Sequence, residues 1–200
     1  LDGVSVSACT AVKDLGVIID PSLSFESHVN NITRIAFFHL RNIAKIRNMM
    51  SLQDAEKLVH AFVTSRLDYC NALLSGCSSK CINKLQLVQN AAARVLTKSR
   101  KYDHITPVLI SLHWLPSKSR IDYKILLLTY KVNLSELLYQ YDPLRLLRSK
   151  GAGYLLAPQI MKTTAGGKSF SDKAPQLWNS LPTSVRDSDT VSVFKSRLKT

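Results

Sequence analysis

Ser24-Phe25-Glu26-Ser27-His28-Val29-Asn30-Asn31-Ile32-Thr33-Arg34-Ile35-Ala36-Phe37-Phe38-His39-Leu40-Arg41-Asn42-Ile43-Ala44-Lys45-Ile46-Arg47 is the stretch on which the fold turns. Val29, Ile32, Ala36, Leu40 and Ile43 recur at intervals of three and four, the spacing that gathers side chains on one side of an α-helix. The other side carries Asn30, Arg34, Phe38, Arg41 and Lys45. A long amphipathic helix from Ser24 to near Arg47 is expected, with its apolar stripe committed to a core.

Working upstream, residues 1–20 read as strands. Val4 and Val6 alternate with small polar residues, and Leu15-Gly16-Val17-Ile18-Ile19 is an apolar run stopped at Asp20-Pro21. A hairpin or strand pair is expected there. Downstream, Ser51 with Asp54 three residues on is a carboxylate version of the capping box, ahead of Ala55, Leu58, Val59, Phe62 and Val63. Gly76 is the expected left-handed cap of that second helix. Ser79 opens a third, with Ile82, Leu85, Val88, Ala92 and Val95 or Leu96 as its buried stripe. Three helices joined by short loops make an antiparallel bundle. Ile105 to Leu112 and Arg120 to Val132 are expected helices separated by Pro116. Gly151, Gly153, Pro158, Gly166 and Gly167 then break the periodicity around a short strand near Tyr154 to Ala157. A helix over Pro175 to Ser180, with the proline early in it, and a last helix from Thr190 complete the chain.

Two hundred residues at 46% hydrophobic content suffice for a real core. No apolar run approaches the roughly 18 residues of a membrane span, and Ile125 to Leu128 is only a helix-core segment. Twenty-seven Lys and Arg against fourteen Asp and Glu give +13, a balance that favours phosphate-bearing partners over metabolic substrates. The chain starts at Leu1 without a signal-like segment and reads as a piece of something longer, intracellular, with nucleus and cytoplasm unresolved. Cys9, Cys70, Cys77 and Cys81 include no CxxC pair and no fourth ligand at a zinc spacing, so they are expected to be structural thiols, with no metal and no cofactor.

A catalytic constellation is not legible. Two-metal nucleotidyl transfer needs clustered carboxylates, and the chain has no Asp-Asp pair. Asp187 and Asp189 precede the last helix, where they compensate its N-terminal dipole. Gly166-Gly167-Lys168-Ser169 lacks the upstream glycine and strand of a phosphate-binding loop. His28, His39, His60, His104 and His113 have no acid or Cys partner at a triad or metal spacing and read as half-buried helix or loop residues.

The informative feature is where acids are missing. Arg34, Arg41, Lys45 and Arg47 lie between Glu26 and Asp54 with no acid among them. Lys80, Lys84, Arg94, Lys98, Arg100 and Lys101 lie likewise between Asp68 and Asp103. A third window, Asp142 to Asp172, holds Arg145, Arg148, Lys150, Lys162 and Lys168. At about 100° per residue, Arg34, Arg41 and Lys45 fall within roughly 40° of one another beside Asn30 and Phe38, and Arg94, Lys98 and Lys101 align similarly on the third helix. Such stripes track phosphates, or are simply solvated helix faces. Arg34, Arg41, Lys45, Arg94, Lys98, Arg100 and Lys101 are the candidate nucleic-acid-binding residues.

Val12-Lys13-Asp14-Leu15-Gly16-Val17-Ile18-Ile19-Asp20, with Leu23-Ser24-Phe25 and His28, resembles the segment that closes the palm of LINE-type (non-LTR) retrotransposon reverse transcriptases. The resemblance continues through Phe62-Val63-Thr64-Ser65-Arg66-Leu67-Asp68-Tyr69-Cys70-Asn71, Gln89-Asn90-Ala91-Ala92-Ala93-Arg94-Val95-Leu96 and Leu112-His113-Trp114-Leu115-Pro116, and ends with Leu177-Trp178-Asn179-Ser180-Leu181-Pro182 and Phe194-Lys195. It implies a helical thumb that grips a primer–template duplex. The fingers and catalytic palm of the family are absent, and the segment Lys131 to Tyr141 is shorter than the family's connector.

The expected fold is therefore mainly α. Residues 1–20 form residual palm strands in a β-hairpin, 21–102 a three-helix thumb-like domain, and 103–200 a loosely organised helical C-terminal region with loop-rich 143–171. The expected role is non-catalytic: a sequence-nonspecific grip on RNA or an RNA–DNA hybrid, with no membrane partner. The rivals are a remnant without function and a helical protein-interaction module, in which Trp114 and Trp178 anchor a protein partner through the C-terminal region.

Overall fold

Leu15 and Gly16 both have positive φ, 43° and 85°, the pairing that a two-residue turn requires if it is to follow the twist of its flanking strands. They join β1 (Val12–Asp14) to β2 (Val17–Ile19) as an antiparallel hairpin with Asp14 opposite Val17 and Val12 opposite Ile19. The expected hairpin is present, but Leu15 belongs to its turn and is exposed, because an apolar residue there makes the reversal instead of extending the strand. The computed structural model describes residues 10–131, 138–142, 153–158 and 169–199; the strand expected around Val4 and Val6 lies outside them.

The chain divides into two compact units, Leu1–Cys70 with Cys77–Trp114, and Asn71–Gly76 with Leu115–Thr200. In the first unit, α1 (Glu26–Ile46) follows the hairpin. Its start at Glu26 rather than Ser24 is set by Asp20. That carboxylate accepts the backbone N–H groups of Ser24 (3.1 Å) and Phe25 (2.9 Å) and the hydroxyls of Ser22 (2.6 Å) and Ser24 (2.7 Å). These bonds, the Ser22 hydroxyl foremost, hold the Asp20 carboxyl well below the usual carboxylate range. They also hold Leu23 and Phe25 at positive φ, 49° and 55°, a conformation costly for residues with a Cβ. Val29, Ile32, Ala36, Leu40 and Ile43 are all buried, as their spacing predicts.

Ser51 caps α2 (Leu52–Val59), its hydroxyl accepting from the Asp54 N–H at 3.1 Å. The helix continues through a π turn, His60–Thr64, into α3 (Ser65–Asp68). It ends there and not at Gly76, because Tyr69 is extended and Cys70 takes the left-handed conformation at φ 52°. Gly76 closes a separate 3₁₀ segment, Asn71–Gly76. Ser78 and α4 (Ser79–Thr97) follow, with Leu85, Val88, Ala92 and Leu96 buried as expected and Cys81, Gln89 and Ala93 buried beside them. Ile82 and Val95 are only half-buried. α5 (Ile105–Ser111) closes the unit, and His113, at φ 54°, ends it in a Schellman arrangement: Trp114 N–H donates to Leu109 O (2.8 Å) and His113 N–H to Ile110 O (2.9 Å).

The direction of the helices follows from two contacts. Near their N-termini, Lys84 Nζ of α4 donates to Asn30 Oδ1 of α1 at 2.5 Å. At their C-terminal ends, buried Arg47 donates through Nε and Nη2 to Leu96 O (3.2 and 2.7 Å) and through Nη1 to Met50 O (3.0 Å). So α1 and α4 run the same way, and the α2–α3 helix returns between them. Arg47 is thus a structural cation at the carbonyl end of α4, where a positive charge is favoured.

In the second unit, α6 (Ser117–Lys131) starts three residues earlier than its apolar pattern indicates and packs against Asn71–Gly76 and α7 (Phe170–Asn179). Ser169 caps α7 through Asp172 N–H at 3.3 Å, so Pro175 lies in its middle and not at its start. α8 (Thr183–Arg186) was not legible in the sequence, whereas α9 (Val191–Arg197) begins behind Thr190, which caps it through Val193 N–H. Phe194 is fully buried, stacked on Tyr130 at 4.3 Å between ring centroids and tilted against Trp178 at 5.8 Å. The strand expected near Tyr154 is reduced to a bridge between Gln140 and Leu155. It is held from α7: Asn179 accepts from Leu155 N–H and donates to Leu155 O, both at 2.8 Å, and Trp178 Nε1 donates to Gly153 O at 2.9 Å.

Replacing Arg47 with Ala is expected to cost about 2–3 kcal/mol, because the buried Leu96 carbonyl loses its donor. Urea unfolding followed by helical signal checks this, and a loss below about 0.5 kcal/mol contradicts the clamp. His28 supplies a second test. It is buried, and its Nδ1 must be unprotonated because it accepts the Ile18 N–H at 3.3 Å. Burial lowers its pKa, so the folded state binds a proton less readily than the unfolded chain. The stabilisation is complete above the ordinary histidine value and is lost as pH falls through it toward the folded value. Thermal stability should drop between about pH 7.5 and 5.5, and His28→Asn, which keeps an acceptor but does not titrate, should flatten that drop. An equal drop in the variant assigns it to other groups.

Candidate nucleic-acid interface

With its core stripe buried, α1 turns Arg34, Arg41 and Lys45 to solvent, together with Phe38. No carboxylate among the described residues pairs with these three cations; Arg34 Nη2 makes only a 3.3 Å bond to Asn31 Oδ1 on its own helix. Asn30, expected to join the stripe, is instead engaged by Lys84.

The second expected stripe does not form. α4 ends at Thr97 and Lys98 takes the left-handed conformation, φ 56°, so counting 100° per residue no longer applies beyond it. Arg94 is half-buried and its Nη2 donates to Asp103 O at 3.3 Å, while Asp103 Oδ2 accepts the Arg100 N–H at 2.7 Å. Lys98, Arg100 and Lys101 are exposed in the turn after the helix, Lys101 lying 5.8 Å from the Tyr102 ring. They form a local basic turn and not a line along a helix. Lys80 and Lys84 reach Glu26 at 3.6 and 3.8 Å, so a window without acids in sequence acquires one in space. Arg145, Arg148, Lys150, Lys162, Lys168 and the glycine pair Gly166-Gly167 lie outside the described residues.

Two features escaped the sequence. A cavity of about 550 Å³ opens in the first unit beside the hairpin, lined by Lys13, His28, Asn31, Ile35, Ser65, Arg66 and Tyr69 among others. Tyr69, whose hydroxyl donates to Leu15 O at 2.7 Å, ties the hairpin turn to the end of α3 across this cavity. Phe62, expected in the core, is exposed. The buried apolar residues of its helix are Ala55, Val59, Val63 and Leu67, every fourth residue, and the π turn, which adds a residue to the repeat, rotates Phe62 outward.

The remaining candidates for chemistry are dispersed. Among the described residues no group of three His, Cys, Asp or Glu is placed to hold a metal ion. Cys70 is exposed, Cys77 donates to Ser24 O at 3.4 Å, and Cys81 is buried in α4. His39 packs between aromatic rings; His60, His104 and His113 are exposed. Asp187 and Asp189 are exposed ahead of α9, whose cap is Thr190. Trp178 belongs to the cluster around Phe194, and Trp114 is half-buried behind α5. No helix among the described residues is long and apolar enough to cross a membrane.

Compared with family models, with curated proteins and with solved structures, the chain finds no match in any of the three.

Proposed function

We propose that this chain is the non-catalytic, thumb-type part of a retrotransposon RNA-directed DNA polymerase and holds primer–template nucleic acid without reading its sequence. The observation that carries the reading is the row of Arg34, Arg41 and Lys45 on the solvent face of one rigid helix, paired with no carboxylate among the described residues. From the first to the last is eleven residues, about 16 Å along the axis, the length of about five phosphates on a strand. The net charge of +13 gives the long-range attraction, and the resemblance from Val12 to Lys195 gives the family context. Phosphate contacts of this kind fix orientation and carry no sequence information.

Binding to an RNA–DNA hybrid should weaken steeply with salt, each neutralised phosphate contributing about 0.9 to the log–log slope. Changing Arg34, Arg41 and Lys45 together to Ala should lower that slope by about two to three, and leave thermal stability nearly unchanged because exposed charges contribute little to folding. A control variant, Lys124→Ala with Lys199→Ala, should change it much less. Equal losses from both sets would reduce the attraction to net charge, and no binding at low salt would favour a remnant without function.

The chain carries no Asp-Asp pair with which to hold two catalytic metals, so it should not extend a primer with dNTPs and Mg²⁺ or Mn²⁺. Incorporation above that of a mock-purified control would overturn this part of the proposal.

A further inference from the structure

Three aromatic rings meet where the solvent face of α1 borders the π turn. His39 is stacked on Phe62 with ring centroids 5.1 Å apart and planes 23° apart, and it makes a T-shaped contact with Phe38 at 5.5 Å and 75°. The outer two are open to water: Phe38 is 55% and Phe62 42% exposed. Two phenyl rings left this open side by side are costly in water, and the π turn is the reason that Phe62 is among them. Along α1, Phe38 lies four residues after Arg34 and three before Arg41, so its ring shares a face with both cations and with Lys45.

Exposed rings among uncompensated cations match one chemistry closely. Bases present flat apolar faces that stack on Phe and His, while the linking phosphates take Arg and Lys. In a duplex those faces are covered by neighbouring base pairs, whereas in a single strand they are free. We infer that Phe38, His39 and Phe62 form a stacking platform for unpaired bases of a single-stranded nucleic acid whose phosphates run along Arg34, Arg41 and Lys45. This deepens the proposed grip and rests on it, since it specifies which strand state the basic face of α1 favours. Charge decides against an apolar protein occupant, because the rings lie among Arg34, Arg41 and Lys45, which no carboxylate among the described residues pairs.

The test uses the whole chain and two probes, a fluorescent oligouridine of about 20 nucleotides and a blunt RNA–DNA hybrid of the same length, each titrated by anisotropy at several salt concentrations. Phe38→Ala and Phe62→Ala should each weaken the single strand about tenfold, with its salt slope unchanged and hybrid affinity within about twofold. Phe38→Trp, which keeps a stacking face, should restore single-strand affinity. Both phenyl rings are solvent-facing, and circular dichroism checks that the Ala variants remain folded.

If the chain binds both probes but the Ala variants lose nothing on the single strand, or lose equally on both, the platform is wrong and the grip survives. If neither probe binds at low salt, the grip fails and the platform fails with it. If Phe38→Ala converts a self-associating chain to a monomer in sedimentation while single-strand affinity is unchanged, the rings form a protein contact and the inference is overturned.

Discussion

A single guanidinium at the end of the first helix determines how the first unit closes. Arg47 leaves α1 as the chain enters a 3₁₀ turn, is buried, and delivers two of its N–H groups to the last-turn carbonyl of Leu96, 49 residues away. A carbonyl at a helix C-terminus has no partner within its own helix, and burying it without one is costly. The cation satisfies that need and meets the negative end of the α4 dipole. Because α1 and α4 are also joined near their N-termini by Lys84 and Asn30, the pair is held at both ends. The solvent face of α1 is therefore fixed in direction, and with it the row of Arg34, Arg41 and Lys45.

Several motifs that carry the family resemblance turn out to be anchors of the backbone. Tyr69 reaches the carbonyl of Leu15 and ties α3 to the hairpin turn. His113 and Trp114 make the hydrogen bonds that stop α5. In the second unit, Trp178 and Asn179 hold the segment from Gly153 to Leu155, Asn179 presenting its amide as one more strand edge. Phe194 fills the space between Tyr130 and Trp178. These residue types are demanding for packing reasons alone. A motif made of them speaks for a fold, and the functional reading has to come from the exposed face of α1.

The basic residues divide by the same logic. Arg47 and Arg94 are spent on backbone carbonyls, and Lys80 and Lys84 on Glu26, so their charge is engaged within the unit. Arg34, Arg41 and Lys45 stand on the side of a helix whose opposite side is already filled. Electrostatic attraction to a polyanion is strongest where cations have no acid to satisfy them, and among the described residues that condition is met along α1.

Periodicity alone located α1, α2 and α4 and the apolar stripe each buries, though not the buried His28, Cys81, Gln89 and Ala93 beside those stripes, because apolar side chains at intervals of three and four leave a helix one way to face a core. The cap at Ser51 and the start of α9 behind Thr190 were legible for an equally local reason, a side-chain oxygen answering an N–H group two or three residues on. The helix ends at Cys70 and Lys98 were not, since non-glycine residues take the left-handed conformation only where the surrounding chain compels it. Nor was the exposure of Phe62, which depends on one extra residue in a π turn, or the pairing of Lys80 and Lys84 with Glu26. Only tertiary structure decides such matters, because they depend on which distant groups arrive beside a residue, and spacing along the chain carries no record of that.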